Sequence, residues 1–366
     1  MNRVKVISWI LLILSLSFNS MGQTGASVKP DILVGAIRWD AWYKVKNGIA
    51  KNNVPKLVEG NLSKKAYHFR VPFFAQLDQD SVILPTITQE LIDQEILLAR
   101  DAGIDYWAYC WYKMDGSSLS YARQLHQSSK YRNEVKMCAM IENAHFTTEK
   151  DLADLIKAFS QDNYQKVAGD RPLVYFFDAQ SMTAETIRKI REAARAQGMA
   201  DPYIAMMGHS DPCKGAVETG CDAVSRYVTL AFHEDTYEQL NKIECDSWNV
   251  FRDKGQQVIP IVTAGWDPRP RIHREPWGHF YCDSCWAETA TAKQVADHLG
   301  EALDWIDANS NACPANALLI YAWNEYDEGG WIAPTMKDIH QGKLVPERLN
   351  AIAGILKTHR HKKHLE

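Results

Sequence analysis

Apolar runs alternate with amphipathic stretches along most of the chain. Strand-like runs cover Ile32–Ile37, Ile104–Cys110, Lys136–Ile141, Leu173–Phe177, Tyr203–Met207, Asp222–Ser225, Val258–Val262 and Ala317–Ala322. Most are continuously apolar, the pattern of parallel strands buried on both faces. Between them, apolar residues recur at helical spacing. In TQELIDQEILLARDAG the residues Leu91, Ile92, Ile96, Leu98 and Ala99 form one stripe, and Gly103 closes the helix. Further helices are predicted over Thr148–Ser160, Ala184–Gly198, Thr236–Lys254, Ala292–Ala308 and Pro346–Thr358. The connection between the fifth and sixth runs is too short for a full helix.

Eight β/α alternations without an internal repeat or linker predict an α/β chain, a single-domain (β/α)8 TIM barrel. Residues 38–88 form a long first β/α loop that should cover one end. A doubly wound open sheet is the competing arrangement, but neither GxGxxG nor GxxxxGK[ST] occurs to favour it.

The two ends of the chain read differently. Arg3 and Lys5 precede an apolar run, Ile7 to Phe18, too short to span a bilayer, and Ser20 and Gly22 fit a cleavage site. Residues 1–22 are therefore expected to be a signal peptide. The protein is expected to be exported, periplasmic or extracellular, with its catalytic domain over 23–358. The tail KTHRHKKHLE is the one basic cluster, and 359–366 is expected to be a solvated, frayed end. The formal charge is −4 and becomes more negative once Arg3 and Lys5 leave, so nucleic acid is not an expected partner. Eight Cys in an exported chain permit disulfides, with Cys213/Cys221 and Cys282/Cys285 as close pairs. Cys110 and Cys138 fall in strands and read as core residues. The CxxC at 282–285 has no second CxxC or HxxxH, so zinc is disfavoured there and no metal or cofactor is expected.

In a barrel, functional groups come from the C-terminal strand ends and the loops that follow. Those positions hold Arg38, Trp39, Asp40, Trp42 and Tyr43; Trp111 and Tyr112; Glu142 and Asn143; Asp178; His209; Arg226 and Tyr227; Trp266 and Asp267; and Asn324, Glu325 and Glu328. Seven of the twelve Trp (39, 42, 111, 266, 277, 323 and 331) lie at or near strand ends. Carboxyl groups for acid/base work beside flat aromatic faces are what glycoside hydrolysis requires. Each Trp alone reads as core packing, and each acid alone as a helix cap or a partner of Arg38 or Arg271. Two Glu three residues apart, with Gly329-Gly330 leaving room for a ligand, favour function. His145 and His209 read as hydrogen-bonded wall residues or as substrate contacts.

WNEYDEG resembles the N-E-W-x-E-G signature of glycoside hydrolase family 99 and the WbsX-like proteins. VGAIRWDAWY, EILLARDAGIDYWAYCWY, MIENAHF, PLVYFFD and TAGWDPRPRIHREPW are similar to further segments of that family in the same order. The likeness spans roughly residues 32–332. It implies a (β/α)8 retaining endo-α-mannosidase or mannanase that works without a glycosyl–enzyme ester. By that resemblance Glu325 is the base on the substrate 2-hydroxyl, giving a 1,2-anhydro sugar. Glu328 is the acid that protonates the leaving oxygen and then activates water. Glu142, Asp178, Trp266 and Asp267 match positions lining the sugar site. The chain departs from the family pattern at Tyr326, at Asp327 where His is common, at the Ile-Glu-Asn-Ala segment, and at Arg38 and Asp40.

The expectation is an exported retaining glycoside hydrolase using Glu325 and Glu328 on a polysaccharide or glycan, with α-mannosidic linkages implied by the resemblance. Its substrate-binding set is Trp39, Asp40, Trp42, Tyr43, Trp111, Tyr112, Glu142, Asn143, Asp178, His209, Tyr227, Trp266, Asp267, Arg271, Asn324 and Trp331. The alternatives are a hydrolase of another linkage such as α-glucan, a non-catalytic glycan-binding barrel, or a surface-polysaccharide assembly protein.

Overall fold

The computed structural model describes residues 30–46, 53–115, 117–142, 146–177, 183–272, 274, 276 and 278–363. The expected signal peptide, Asn143, His145, Asp178, Trp277 and the last three residues lie outside them.

Eight segments of parallel strand make a closed barrel. They are β1 (Leu33–Arg38), β2 (Tyr106–Cys110), β3 (Lys136–Glu142), β4 (Arg171–Phe177), β5 (Tyr203–Gly208), β6 (Ala223–Arg226), β7 and β8 (Ala317–Tyr321). The seventh is split into Gln257–Val258, which pairs with β6, and Ile261–Thr263, which pairs with β8. Pro260 has no N–H for the ladder, and it falls at this break. The backbone bridges it on both sides: Ile259 N donates to Val224 O at 3.0 Å, and Leu319 N donates to Pro260 O at 2.9 Å. Pairing of β1 with both β2 and β8 completes the ring.

Helices α1 (Val54–Leu62), α2 (Gln89–Asp101), α3 (Ser118–Ser128), α4 (Glu149–Phe159), α5 (Ala184–Ala196), α6 (Cys213–Thr219), α7 (Tyr237–Asp253), α8 (Ala292–Ala308) and α9 (Glu347–Lys363) lie among the strands in chain order. Threonine starts most of the long ones. Thr88, Thr148, Thr183, Thr236 and Thr291 each accept a hydrogen bond from the backbone N–H three residues on. At Thr148, Thr236 and Thr291 the residue at that position returns the bond, closing a capping box. Apolar stripes then press the helices onto the barrel, as Ile92, Ile96 and Ala99 do on α2.

Three helices went unseen in the sequence, among them α6, which fits seven residues into the short connection after β5. In α3 the inward face carries Ser120, Arg123 and His126, all buried, so no apolar stripe marks it. Helix α1 contains Pro55, Gly60 and Asn61 and reads as loop. The expected long loop over 38–88 thus holds α1, a 3-10 turn at Lys65–Arg70 and a hairpin pairing Gln76–Asp78 with Ser81–Ile83. The expected frayed tail also needs correction, because α9 runs on to Lys363. His359 lies 2.8 Å from Asp307 and Arg360 3.2 Å from Asp105, so acids on neighbouring elements hold two of its basic residues. Residues Asp31–Glu366 make one unit. Among the described residues, no helix is long and apolar enough to cross a membrane.

Candidate active site

A cavity of about 470 Å³ opens at the C-terminal end of the barrel. Every strand contributes to its wall at or just beyond its end: Trp39, Cys110, Glu142, Phe177, His209, Tyr227, Trp266 and Glu325 follow β1 to β8 in order. Trp111 and Tyr112 extend the β2 side, while Arg271, Phe280, Tyr281 and Glu328 come from the loops after β7 and β8.

Arg271 is the hub. Its Nη2 donates to Glu325 Oε2 at 3.1 Å, and its Nη1 bonds Glu328. Its Nε and Nη2 grip the two oxygens of Asp327 at 2.9 and 2.7 Å. Such a side-on fork fixes the guanidinium in one plane. Asn61 Nδ2 from α1 donates to Asp327 at 2.7 Å, which gives the long first loop a part in the site. Trp39 lies against the same guanidinium, 4.9 Å from its ring centre. The charge of Asp327, out of place for the family signature, is therefore consumed within the protein.

Donors converge on Glu328 from three sides. Tyr281 Oη bonds its Oε1 at 2.5 Å, Tyr321 Oη bonds its Oε2, and Arg271 reaches Oε1. Glu325 has sparser company, with Tyr227 Oη at 3.4 Å. Burial first, then the charge of Glu328, pushes the Glu325 carboxyl well above its usual range, against the pull of Arg271. Glu325 therefore holds its proton to higher pH than an ordinary glutamate.

Aromatic rings surround the acids. Tyr227 lies 4.4 Å from Phe177 and edge-on to Tyr321, and His209 sits edge-on to Phe177 at 5.0 Å. Trp266 is held by a hydrogen bond from Nε1 to Cys285 O at 3.1 Å. Cys285 is joined to Cys282 in a disulfide, which ties the loop bearing Phe280 and Tyr281 beneath Trp266. The CxxC therefore serves cavity shape. Cys213 and Cys221, the other close pair, are free thiols, as are Cys110 and Cys138.

Several expected substrate contacts lie off the cavity wall, in the framework around it. Asp40 and Tyr43 join a buried network in which Arg38 donates to Asp40 at 2.8 Å and to Glu95 at 2.9 Å, and Tyr43 Oη donates to Glu95 at 2.5 Å. Trp42 packs edge-on to Tyr326. Asp267 is taken by Arg70 and Arg269. Asn324 accepts from the Trp39 backbone N–H at 2.9 Å, positioning that ring from behind. Trp331 lies between Arg348 and Arg70. The glycine pair leaves no room for a ligand either. A Cβ at Gly329 would stand 2.6 Å from Asp267 N, and one at Gly330 would enter the Tyr321 ring. These glycines admit the protein's own groups.

Tyr281 and Tyr321 were not foreseen. Tyr321 ends an apolar strand and reads as core, and Tyr281 lies in a loop without periodicity. Glu95 did carry a signal, as an acid between Ile92 and Ile96 on the buried face of α2.

The model of the family described as glycosyltransferase WbsX matches residues 133–342, more than half of the chain. The chain belongs to the WbsX family. No curated protein matches its sequence. Among solved structures, the glycoside hydrolase family 99 endo-α-mannosidase from Bacteroides thetaiotaomicron is similar over 91% of this chain and 98% of its own, at 13% identity and a TM-score of 0.59. A glycoside hydrolase-like protein is similar over 91% of this chain and 94% of its own, at 15% identity and a TM-score of 0.56. At these identities the likeness is one of fold: this WbsX member is a TIM barrel of the kind those proteins share.

Proposed function

We propose that this WbsX-family protein is an exported retaining glycoside hydrolase acting on a polysaccharide or glycan side chain, with α-mannosidic linkages as the leading class. The observation that carries the reading is the pair Glu325 and Glu328, which face one aromatic cavity and share Arg271.

The substrate itself arranges the proton. A glycosidic oxygen only accepts hydrogen bonds, so the carboxyl facing it must hold a proton, whereas a sugar hydroxyl can donate to a carboxylate. A 2-hydroxyl against Glu325 favours its ionised form, and a glycosidic oxygen against Glu328 favours protonated Glu328. The bound sugar thus selects an ionised Glu325 and a protonated Glu328. Glu325 then takes the proton of the 2-hydroxyl as its oxygen attacks the anomeric carbon, and Glu328 protonates the departing oxygen. Water, deprotonated by Glu328, opens the resulting 1,2-anhydro sugar as Glu325 returns its proton to the 2-oxygen, with net retention. Arg271 touches both carboxyls, so it balances charge through each transfer. Trp39, Trp111 and Trp266 offer flat faces to the CH-rich sides of the rings.

The test is to incubate the mature protein with α-mannans, α-glucans and host or plant glycans, following released oligosaccharides by mass. Cleavage of one glycan, abolished by Glu328→Gln, supports the reading. Equal binding by both proteins without cleavage makes the barrel a glycan-binding module instead. The family's description supports a second reading, glycosyl transfer. Product that grows in mass only when a nucleotide sugar is added would establish it.

A further inference from the structure

Away from the cavity, a group of side chains between α7 and α8 takes no part in the proposed chemistry. Cys245 on α7 and His298 and Glu301 on α8 each offer one ligand atom, and the three atoms lie within 4.8 Å of one another. His298 Nδ1 is 3.3 Å from Glu301 Oε2, and Cys245 Sγ is 3.8 Å from the same oxygen. A tetrahedral zinc ion has bonds of about 2.0 Å to nitrogen and oxygen and about 2.3 Å to sulfur, which sets those separations at about 3.3 and 3.5 Å.

The other face of the histidine is committed. Its Nε2 lies 2.7 Å from Glu244 Oε1. Glu244 is fully buried and already accepts from Thr263 N at 2.7 Å and from the hydroxyls of Thr229 and Thr263, each at 2.5 Å. An acceptor so surrounded by donors requires Nε2 to carry a hydrogen. Nδ1 faces Cys245 and the Glu301 carboxylate, and it becomes the ligand atom on giving up its own hydrogen. A carboxylate behind the histidine in this way is the usual support of a metal-binding imidazole. Asn241 Nδ2 donates to Glu301 Oε2 at 2.9 Å and so steadies the third ligand.

We infer that Cys245, His298 and Glu301 form a zinc site that clips α7 to α8. Thiolate, imidazole and carboxylate together select zinc among the common divalent ions, and water takes the fourth position on the exposed Glu301 side. Binding releases the thiol proton of Cys245 and the Nδ1 proton of His298 to solvent. Through Glu244 the clip also bears on Thr263, at the end of the strand that leads to Trp266.

The full-length protein, with its Cys282–Cys285 disulfide intact and stripped of metal by a chelator, is titrated with Co²⁺ and then Zn²⁺. One Co²⁺ per chain is expected to bind with a near-ultraviolet thiolate-to-cobalt absorption that Zn²⁺ abolishes. Cys245→Ser should remove that absorption. Glu301→Gln, at a position exposed enough to spare folding, should keep it while weakening zinc affinity by about tenfold or more. If Cys245→Ser does not fold, alkylation of Cys245 in the unaltered protein decides, since bound zinc must slow it at least tenfold. Absence of the absorption, its persistence in Cys245→Ser, or alkylation indifferent to zinc would overturn the inference and leave a plain hydrogen-bonded bridge.

Discussion

Asp327 holds Arg271 side-on, with Oδ1 2.7 Å from Nη2 and Oδ2 2.9 Å from Nε. The remaining reach of the guanidinium is thereby aimed at Glu325 and Glu328. The middle acid of the E-x-D-E cluster thus orients the guanidinium on which the outer two depend. In Asp327→Asn the fork is lost and Arg271 can turn away. We expect kcat/KM to fall on the order of 10²-fold, since a misplacement of about 1 Å costs that much. Folding should be retained. Steady-state kinetics beside thermal melts checks this, and an unchanged kcat/KM contradicts it.

Glu325 makes stability depend on pH in a stated direction. Its folded-state pKa is raised, so the folded protein binds the proton more tightly than the unfolded chain. The stability this contributes is complete below the ordinary glutamate pKa and is lost as pH rises through the folded value. Glu325→Gln lacks that dependence. The Tm of the variant minus that of the wild type should therefore increase from pH 4 to pH 8. A difference that is flat or shrinks would show that folding does not raise the Glu325 pKa.

Arg38 is fully buried between Glu95 and Asp40, with its guanidinium 4.4 Å from the Trp107 ring. Removing Glu95 leaves a buried charge short of a partner, so Glu95→Ala should cost about 3–5 kcal/mol. Denaturant unfolding measures this. The Asp40 carboxyl, pushed up to about 6 mainly by burial, already resists ionisation. Asp40→Asn should therefore keep kcat/KM within about threefold, the mark of framework rather than substrate contact. A loss on the order of 10²-fold would return Asp40 to the site.

The Cys282–Cys285 disulfide closes a very short loop, so its entropic contribution to stability is small, about 2 kcal/mol or less. Its role is to set Trp266 and Tyr281. Reduction, or the double Ser variant, should lower kcat/KM by about tenfold or more while moving Tm by only a few degrees. Activity unaffected by reduction would remove the disulfide from the site.

The barrel was legible because burial on both faces leaves continuous apolar runs, and apolar residues at helical spacing mark most of the helices between them. Strand ends were legible too, which placed Trp39, Glu142, Tyr227, Trp266 and Glu325 on one cavity. What could not be read was which side of a strand end faces inward. A residue one place along, such as Asp40 beside Trp39 or Asp267 beside Trp266, meets an arginine instead of the cavity. Arg38 and Arg269 are near neighbours in sequence, but Arg70 from the first loop, which also takes Asp267, and Glu95 from α2, which holds Arg38, are distant, and no local pattern links them. Tyr281 and Asn61 were hidden for the same reason, since loop packing alone brings them to Glu328 and Asp327.

The most direct test compares Glu325→Gln and Glu328→Gln on the cleaved glycan and on a glycoside of the same sugar with a dinitrophenyl leaving group. Both variants should lose on the order of 10⁴-fold or more on the natural glycan. On the activated substrate, whose leaving group needs no proton, Glu328→Gln should recover most of its rate for anhydro-sugar formation and Glu325→Gln should not. Rescue of Glu325→Gln in place of Glu328→Gln would reverse the two roles. Near wild-type hydrolysis of the glycan by either variant would contradict the two-glutamate account altogether.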